Sequence, residues 1–389
     1  MAVERVMLTS QRALFDIPAD VAYLNAAGWS PLPRATQQAA QAAVLRKGQP
    51  WKLAPDFHTT QHERARAAAA ALIGADPNDV ALVSSVGYGV AIAGKVLPIA
   101  RGSRLLVLEN DHTSPVLEWV SRSGAQGFIV ETVVQPADGD WTAAVLAAIE
   151  KPGALPLALA SISSVHWSDG GMLDMQTIRD ALRKQGAALL LDATHSVGVI
   201  ATDVKTLDPD FLIFPTYKWV LGPYGRAFVY VAKRHQDGVP LEQTSFGRRD
   251  VKAENPVYFA DTRYLPDARR YDMGERDHFI SMEMAAIGME MMAQWGAEAV
   301  VQRLAALTRR IADGLNGTNA VQVLDEKVRA PHILSLGFAG GMPGDLIPKL
   351  AGEQIHVAAR LGRMRISPHV YNDEADVDRL VAAIKTAMA

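Results

Sequence analysis

The chain has 389 residues, 49% of them hydrophobic, and a formal net charge of -3. That length can bury a large core and suggests two domains or one large domain with a smaller companion, while the near-neutral balance offers no field for nucleic acid and no charged block for a tail or membrane surface. With no cysteine, disulfides, thiolate metal sites and any mechanism through a cysteine nucleophile or persulfide are excluded.

No apolar run approaches the roughly 18 residues that would span a bilayer, and the first residues, MAVERVMLTSQRALFD, lack the cationic start and apolar core of a signal peptide. A cytoplasmic protein with a small-molecule partner, no nucleic acid, no membrane and no metal is expected. Along the chain, YLNAAG (Tyr23 to Gly28) precedes a Pro-bracketed turn, and alanine-rich helices follow over about Arg34 to Lys47 and His58 to Ile73. Short apolar runs then alternate with helical stretches: VALVSS, RLLVLEN, QGFIVETV, LPLALASISS, AALLLDA, DFLIFPT and GRAFVYVA. Buried strands interleaved with helices predict an α/β three-layer sandwich around a mostly parallel sheet.

Near residue 250 the pattern turns polar and arginine-rich, which reads as a loop-rich crossing. Beyond it a long helical stretch runs over about Ser281 to Leu315, with Met282, Met289, Met292 and Trp295 at core spacing. Smaller strand and helix units follow, HILSLGF, DLIPKLA, IHVAARL and RMRISP, and then a last helix with Asn372 as its expected N-cap. The expected division is a large domain over 20–255 and a smaller α/β domain over 256–389, joined by 1–19.

Ligands of an open parallel sheet bind beyond the carboxyl ends of its strands, so polar residues just after apolar runs are the candidates. Ser84 and Ser85 close one strand, and Gly87 and Gly89 open a helix whose N-terminus favours an anion; glycine there also serves plain steric needs. His112, Ser164 and His166 stand at other strand ends, where a histidine is often simply structural. Asp192 follows an apolar run and is costly to bury unless donors or a cation meet it. In FPTYKWVLGPYG, Lys218 sits among aromatic and aliphatic neighbours, where it either snorkels to water or is held partly neutral for chemistry. Asp192 and Lys218 end successive strand segments and so face one crevice. A phosphate cradle, a carboxylate, a flat imidazole and a reactive lysine are what pyridoxal phosphate (PLP) requires.

At these residues the chain resembles the class V aminotransferases among the fold-type I PLP enzymes, a family that includes cysteine desulfurases, kynureninases and isopenicillin-epimerase-like proteins. The likeness runs through YLNAAG, SSVGYG, DHTSPVLEW, SVHWSDGG, LLLDATHS, TYKWVLGPYG and RLGRMRISPHVYNDEADVDRL. It implies that Lys218 carries the cofactor, Asp192 pairs with the pyridine nitrogen and His112 stacks on the ring. His195 is implied near the ring oxygen, with His166 or Ser164 as a further contact. Ser85, Val86 and Gly87 match the phosphate turn, and Thr216 and Tyr217 are further cofactor candidates. Arg360 best matches the arginine that clamps a substrate carboxylate, Arg365 is the alternative, and Asn25 falls on the substrate side. The resemblance also implies a homodimer, in which Glu275 stands where a partner often supplies a phosphate-binding threonine and Arg276 is the replacement. Transamination of an amino acid or related amine is the expected reaction. A carbon-sulfur or other β-lyase, an epimerase, and a non-catalytic PLP-binding protein are the alternatives.

Overall fold

The structure is a computed structural model and describes residues 8–318 and 321–388. Positions 1–7, 319–320 and 389, all within the expected smaller unit, lie outside the described residues. The chain enters through strand β1 (Ala22–Tyr23) and helices α1 (Arg34–Lys47) and α2 (Phe57–Leu72). Alanine loses almost no side-chain entropy in a helix, and Ala65, Ala68, Ala69 and Ala70 give α2 a small buried face that lets its neighbours approach closely.

Strands β2 (Val80–Val83), β3 (Arg104–Leu108), β4 (Ile129–Val133), β5 (Leu157–Ser163), β6 (Ala188–Asp192), β7 (Phe211–Pro215) and β8 (Ala227–Val231) form one sheet in the order β2-β8-β7-β6-β5-β3-β4. Helices α3 (Val86–Val96), α4 (Thr113–Gln126), α5 (Trp141–Ile149), α6 (Met175–Lys184) and α7 (Val204–Leu207) lie in its connections. Successive side chains on a strand leave opposite faces. Leu106 and Leu108 of β3 therefore enter one core while Leu105 and Val107 enter the other, and both faces are covered as the apolar runs require. This is the expected three-layer α/β architecture. One strand departs from the parallel set: β8 runs antiparallel to both β2 and β7.

The segment expected as loop contains a hairpin of β9 (Arg248–Asp250) and β10 (Asp261–Tyr264). The long helical stretch is two helices, α8 (Phe279–Trp295) and α9 (Ala297–Gly314), separated by Gly296 with φ 78°, a conformation that glycine adopts without Cβ strain. Met282, Met289 and Met292 are buried as core residues, and α8 packs on α1 and α2. A Cβ at Gly288 would lie 2.3 Å from the Val220 carbonyl oxygen, so the bare backbone there lets α8 rest directly on the loop that carries Lys218.

The remaining elements are β11 (Val321–Val323), β12 (Leu334–Phe338), α10 (Leu346–Gly352), β13 (Ile355–His356), β14 (Ala358–Arg360), β15 (Arg363–Ile366) and α11 (Glu374–Met388). An antiparallel sheet in the order β11-β12-β15-β14 forms here, and β13 pairs in parallel with β1. Asp373, not Asn372, caps α11, its Oδ1 accepting from the Asp376 amide at 3.1 Å. The Asn372 side chain instead accepts from the His369 amide and donates to the Tyr23 carbonyl. Among the described residues no helix is long and apolar enough to cross a membrane.

Candidate active site

Strands β2, β5, β6 and β7 all deliver their carboxyl ends to one edge of the sheet, and a cavity opens there against Ser84, His112, Ser163, Asp192, Tyr217 and Lys218. Register explains the gathering: Ser163 pairs with Asp192, and Asp192 with Ile213, two residues before β7 ends. A wider cleft at the opposite edge, lined by Arg183, Asp208, Asp210 and Arg234, has those arginines paired with those aspartates. Its charges are already neutralised, so size does not decide the site.

Lys218 is 6% exposed. Burial lowers its ammonium from the ordinary 10.5 to about 7, Arg365 pushes the same way and Asp192 resists. Its Nζ lies 3.3 Å from His195 Nε2, and Trp219 Nε1 donates to His195 Nδ1 at 3.0 Å. Indole nitrogen only donates, so Nδ1 is the acceptor and the imidazole proton sits on Nε2. The contact with Lys218 then requires a neutral amine whose lone pair accepts. His195 is kept uncharged by burial first, by Lys218 whenever that lysine carries a proton, and by Arg365 next, its pKa falling well below the usual range. Two further histidines fix the frame: His332 Nε2 lies 2.7 Å from the His195 carbonyl oxygen and His369 Nε2 3.1 Å from that of Trp219.

Asp192 is buried, and its Oδ1 accepts from the amide and hydroxyl of Thr194. Oδ2 has no hydrogen-bond partner among the described residues, and Asp192 lines the cavity. His112 lies at the mouth as the residue before α4, its ring perpendicular to Trp167 at 6.1 Å. Burial and then Lys218 lower its pKa. Beside it, burial pushes Asp111 up to about 6, and the carboxylate accepts from Ser163 Oγ at 2.9 Å and from the His112 amide at 2.7 Å. Asp111 and Ser163 thus position the His112 loop. At the other end of the cavity, Ser85 caps α3 by accepting from the Tyr88 amide at 3.1 Å. A Cβ on Gly87 would find its nearest neighbour at 3.8 Å, so open space rather than crowding lies before the helix N-terminus.

Several expected site residues are not brought to the cavity. Alternation along β5 sends Ser163 inward, so Ser164 leaves on the other face and donates to Ser196 Oγ at 2.9 Å. His166 stacks on Trp141 at 4.8 Å and lies 3.2 Å from Asp169; burial opposes its charge, yet Asp169 raises its pKa overall. The Thr216 hydroxyl donates to the Pro223 carbonyl at 2.6 Å and so closes the lysine loop. Glu275 and Arg276, expected at a partner's site rather than in this chain's own cavity, lie apart from it: Arg276 is bonded to Asp272, and Glu275, at φ 53°, lines a separate cleft with Lys47 and His278. Tyr217 does face the cavity, with its hydroxyl pushed up to about 12 by burial.

Arg365 on β15 is 2% exposed. Its Nη1 donates to the Trp167 carbonyl at 2.7 Å, its Nε has no partner, and no carboxylate lies within 4.0 Å of it among the described residues. Burial lowers it to about 9, which still leaves it cationic at neutral pH. Arg360, at the end of β14, is half-buried and among the described residues its side chain donates to the Ala359 carbonyl alone. Asn25 bridges Ser367, two residues beyond Arg365, and its Oδ1 is buried without a partner among the described residues. Trp219, Asp111, Ser163 and Arg226 were not singled out by sequence. Ser163 was legible in principle, because period-2 alternation along LALASIS separates the two serines.

A buried lysine with its pKa lowered to about 7, a carboxylate, an imidazole at the mouth and a helix N-terminus around one cavity define a PLP site on a fold-type I scaffold, and the residues present fit that cofactor. Residues 22–380 match the aminotransferase class-V family, and the chain belongs to it: it is a PLP-dependent enzyme. It is 26% identical over 373 residues to an uncharacterized aminotransferase, YcbU, of Bacillus subtilis (strain 168), covering 91% of this chain and 90% of that protein. It is 28% identical over 319 residues to a kynureninase of Burkholderia mallei (strain SAVP1), covering 77% of this chain and 72% of that one. Among solved structures, a mutant of C-DES with glycine covalently linked to its PLP cofactor shares the fold, with TM-score 0.83 and 19% identity over 96% of this chain and 98% of that one.

Proposed function

We propose that this enzyme moves the amino group of an amino acid to a keto acid, with Lys218 as both the cofactor's attachment point and the base at the substrate α carbon. The observation that carries the reading is the contact between Lys218 Nζ and His195 Nε2, which Trp219 makes a contact to a neutral amine. The cofactor, when bound, supplies the electron sink that stabilises charge left at the α carbon. Lys218 Nζ can accept the α proton near pH 7 and return it to a neighbouring carbon, which is the proton movement transamination needs. Asp192 Oδ2 would pair with the ring nitrogen, His112 would cover the ring, His195 would donate from Nε2 to the ring oxygen, and Ser85, Val86 and Gly87 would meet the phosphate.

Arg365 would hold the substrate carboxylate. It is a buried guanidinium with no acid within 4.0 Å among the described residues, and its planar fork matches a carboxylate in two parallel hydrogen bonds. Arg360 supplies a second cation nearer the surface, and Asn25 lies beside the same strand. We place the enzyme in the cytoplasm as a homodimer. The exposed Val44, Leu45 and Trp51 are the kind of surface a second copy covers, and sedimentation tests that assignment.

The deciding experiment is an amino-acid panel with and without a keto-acid acceptor, followed by product identification. Transamination yields a new amino acid only when the acceptor is present. Pyruvate and ammonia formed without acceptor would establish β-elimination instead, and loss of optical activity with the amine retained would establish epimerisation.

A further inference from the structure

We infer that Arg226 is the cation that anchors the phosphate end of the cofactor, an assignment that rests on reading this cavity as a PLP site. Arg226 is the residue just before β8. Because β8 is antiparallel and Ala227 pairs with both Val83 and Pro215, Arg226 lies level with Ser84 past β2 and Thr216 past β7. The reversed strand therefore brings its starting residue to the edge where its neighbours end.

Arg226 is 4% exposed and lines the cavity together with Ser84, Ser85 and Val86. Its Nε donates to Ser281 Oγ at 2.6 Å, and Nη1 faces the Met273 sulfur at 3.9 Å. Nη2 has no partner, and no carboxylate lies within 4.0 Å, among the described residues. A guanidinium this far from water needs an anion or a full set of acceptors, and among the described residues the protein supplies one hydroxyl, one sulfur and, from farther away, the charge of Asp277. The adjoining feature is the α3 N-terminus, itself suited to an anion. Its turn residues Val86 and Gly87 carry no hydroxyl that could share a phosphate's charge, and Arg276 is committed to Asp272. A phosphomonoester between the α3 amides and Arg226 would satisfy both.

The test compares PLP with pyridoxal, which lacks the phosphate. Apoprotein carrying Arg226→Met should bind PLP about 10- to 100-fold more weakly than wild type, the effect of losing one charge-assisted contact, while its affinity for pyridoxal is unchanged. Both affinities are read from the visible absorption band or from quenching of protein fluorescence, without turnover. Parallel weakening of PLP and pyridoxal would show that Arg226 only packs β8 against α8, and an unchanged PLP affinity would remove it from the site; either overturns the assignment. If Arg226→Met fails to fold, Arg226→Gln, which keeps a donor for Ser281, is read by the same ratio. Wild-type protein that binds neither compound through Lys218 would refute the PLP reading itself.

Discussion

Trp219 Nε1 and His195 Nδ1 are joined by a hydrogen bond of 3.0 Å, and this bond decides which nitrogen of the imidazole faces Lys218 with a proton. Trp219 touches no reacting atom in this arrangement; it acts through His195. The His195 Nε2 proton is then directed at the lysine amine or at whatever acceptor replaces it.

Trp219→Phe keeps most of the packing and removes the donor. His195 can then take a proton on Nδ1 and its pKa rises. We expect kcat to fall about 10-fold, equivalent to about 1.4 kcal/mol, and the acid limb of the pH profile to move to higher pH. A profile that stays in place while only thermal stability drops would leave Trp219 as a packing residue.

Lys218 costs the apoprotein stability. Its folded pKa, about 7, lies below the ordinary 10.5, so the unfolded chain binds a proton between these values that the folded one refuses. The penalty grows as pH falls from 10.5 toward 7 and is constant below that. Lys218→Met should stabilise the apoprotein at pH 7 by about 2–4 kcal/mol, with the difference vanishing near pH 10.5, and should abolish the absorption band of bound PLP. Urea unfolding at several pH values measures the first effect. A variant that is no more stable than wild type at pH 7 would mean the lysine is solvated and charged.

Arg365→Met removes the proposed carboxylate clamp. KM for an amino acid should rise about 100-fold, consistent with a charge-assisted pair of about 2–3 kcal/mol, while the corresponding amine without a carboxylate should react much as with wild type. Equal losses for both substrates would point to Arg365 holding the Trp167 loop instead.

Asp272 is buried without exposure between Arg66, at 2.7 Å, and Arg276, and it accepts from the Leu82 amide at 2.8 Å. It thereby pins the end of β2 that leads into the phosphate turn. Burial alone would raise its pKa, but Arg66 and Arg276 hold it below the ordinary 3.8. Its contribution is complete above that value and is lost as pH falls through the lower folded value. Asp272→Ala, which takes from buried Arg66 one of its two acids and leaves it Glu63 at 3.1 Å, should cost about 3 kcal/mol at neutral pH by denaturant titration.

Most of the seven strands were legible because each carries an apolar run, although Glu131 and Thr132 interrupt β4 and Ser161 and Ser163 fall within β5, and Lys218 and Asp192 were legible because they follow such runs. The direction of β8 was not: a strand buried on both faces reads the same in either direction. Collecting polar residues after strands therefore passed over Arg226, which precedes one. The break at Gly296 was hidden because one glycine inside a helical pattern is usually tolerated, and only its φ of 78° ends α8. Ser164 and His166 were expected in the cavity because sequence marks a strand end only to within a residue, and one step along a strand exchanges its faces.

A wall built from strand ends can be altered by lengthening or trimming the loops that follow, at the cost of where those loops then lie. Position 226 is different, because it is the first residue of a chain entering the sheet and is braced from behind by Ala227 paired on both sides. It can therefore serve as a one-residue dial: exchanging charge there would retune the preference for phosphorylated over unphosphorylated ligands while every loop keeps its length.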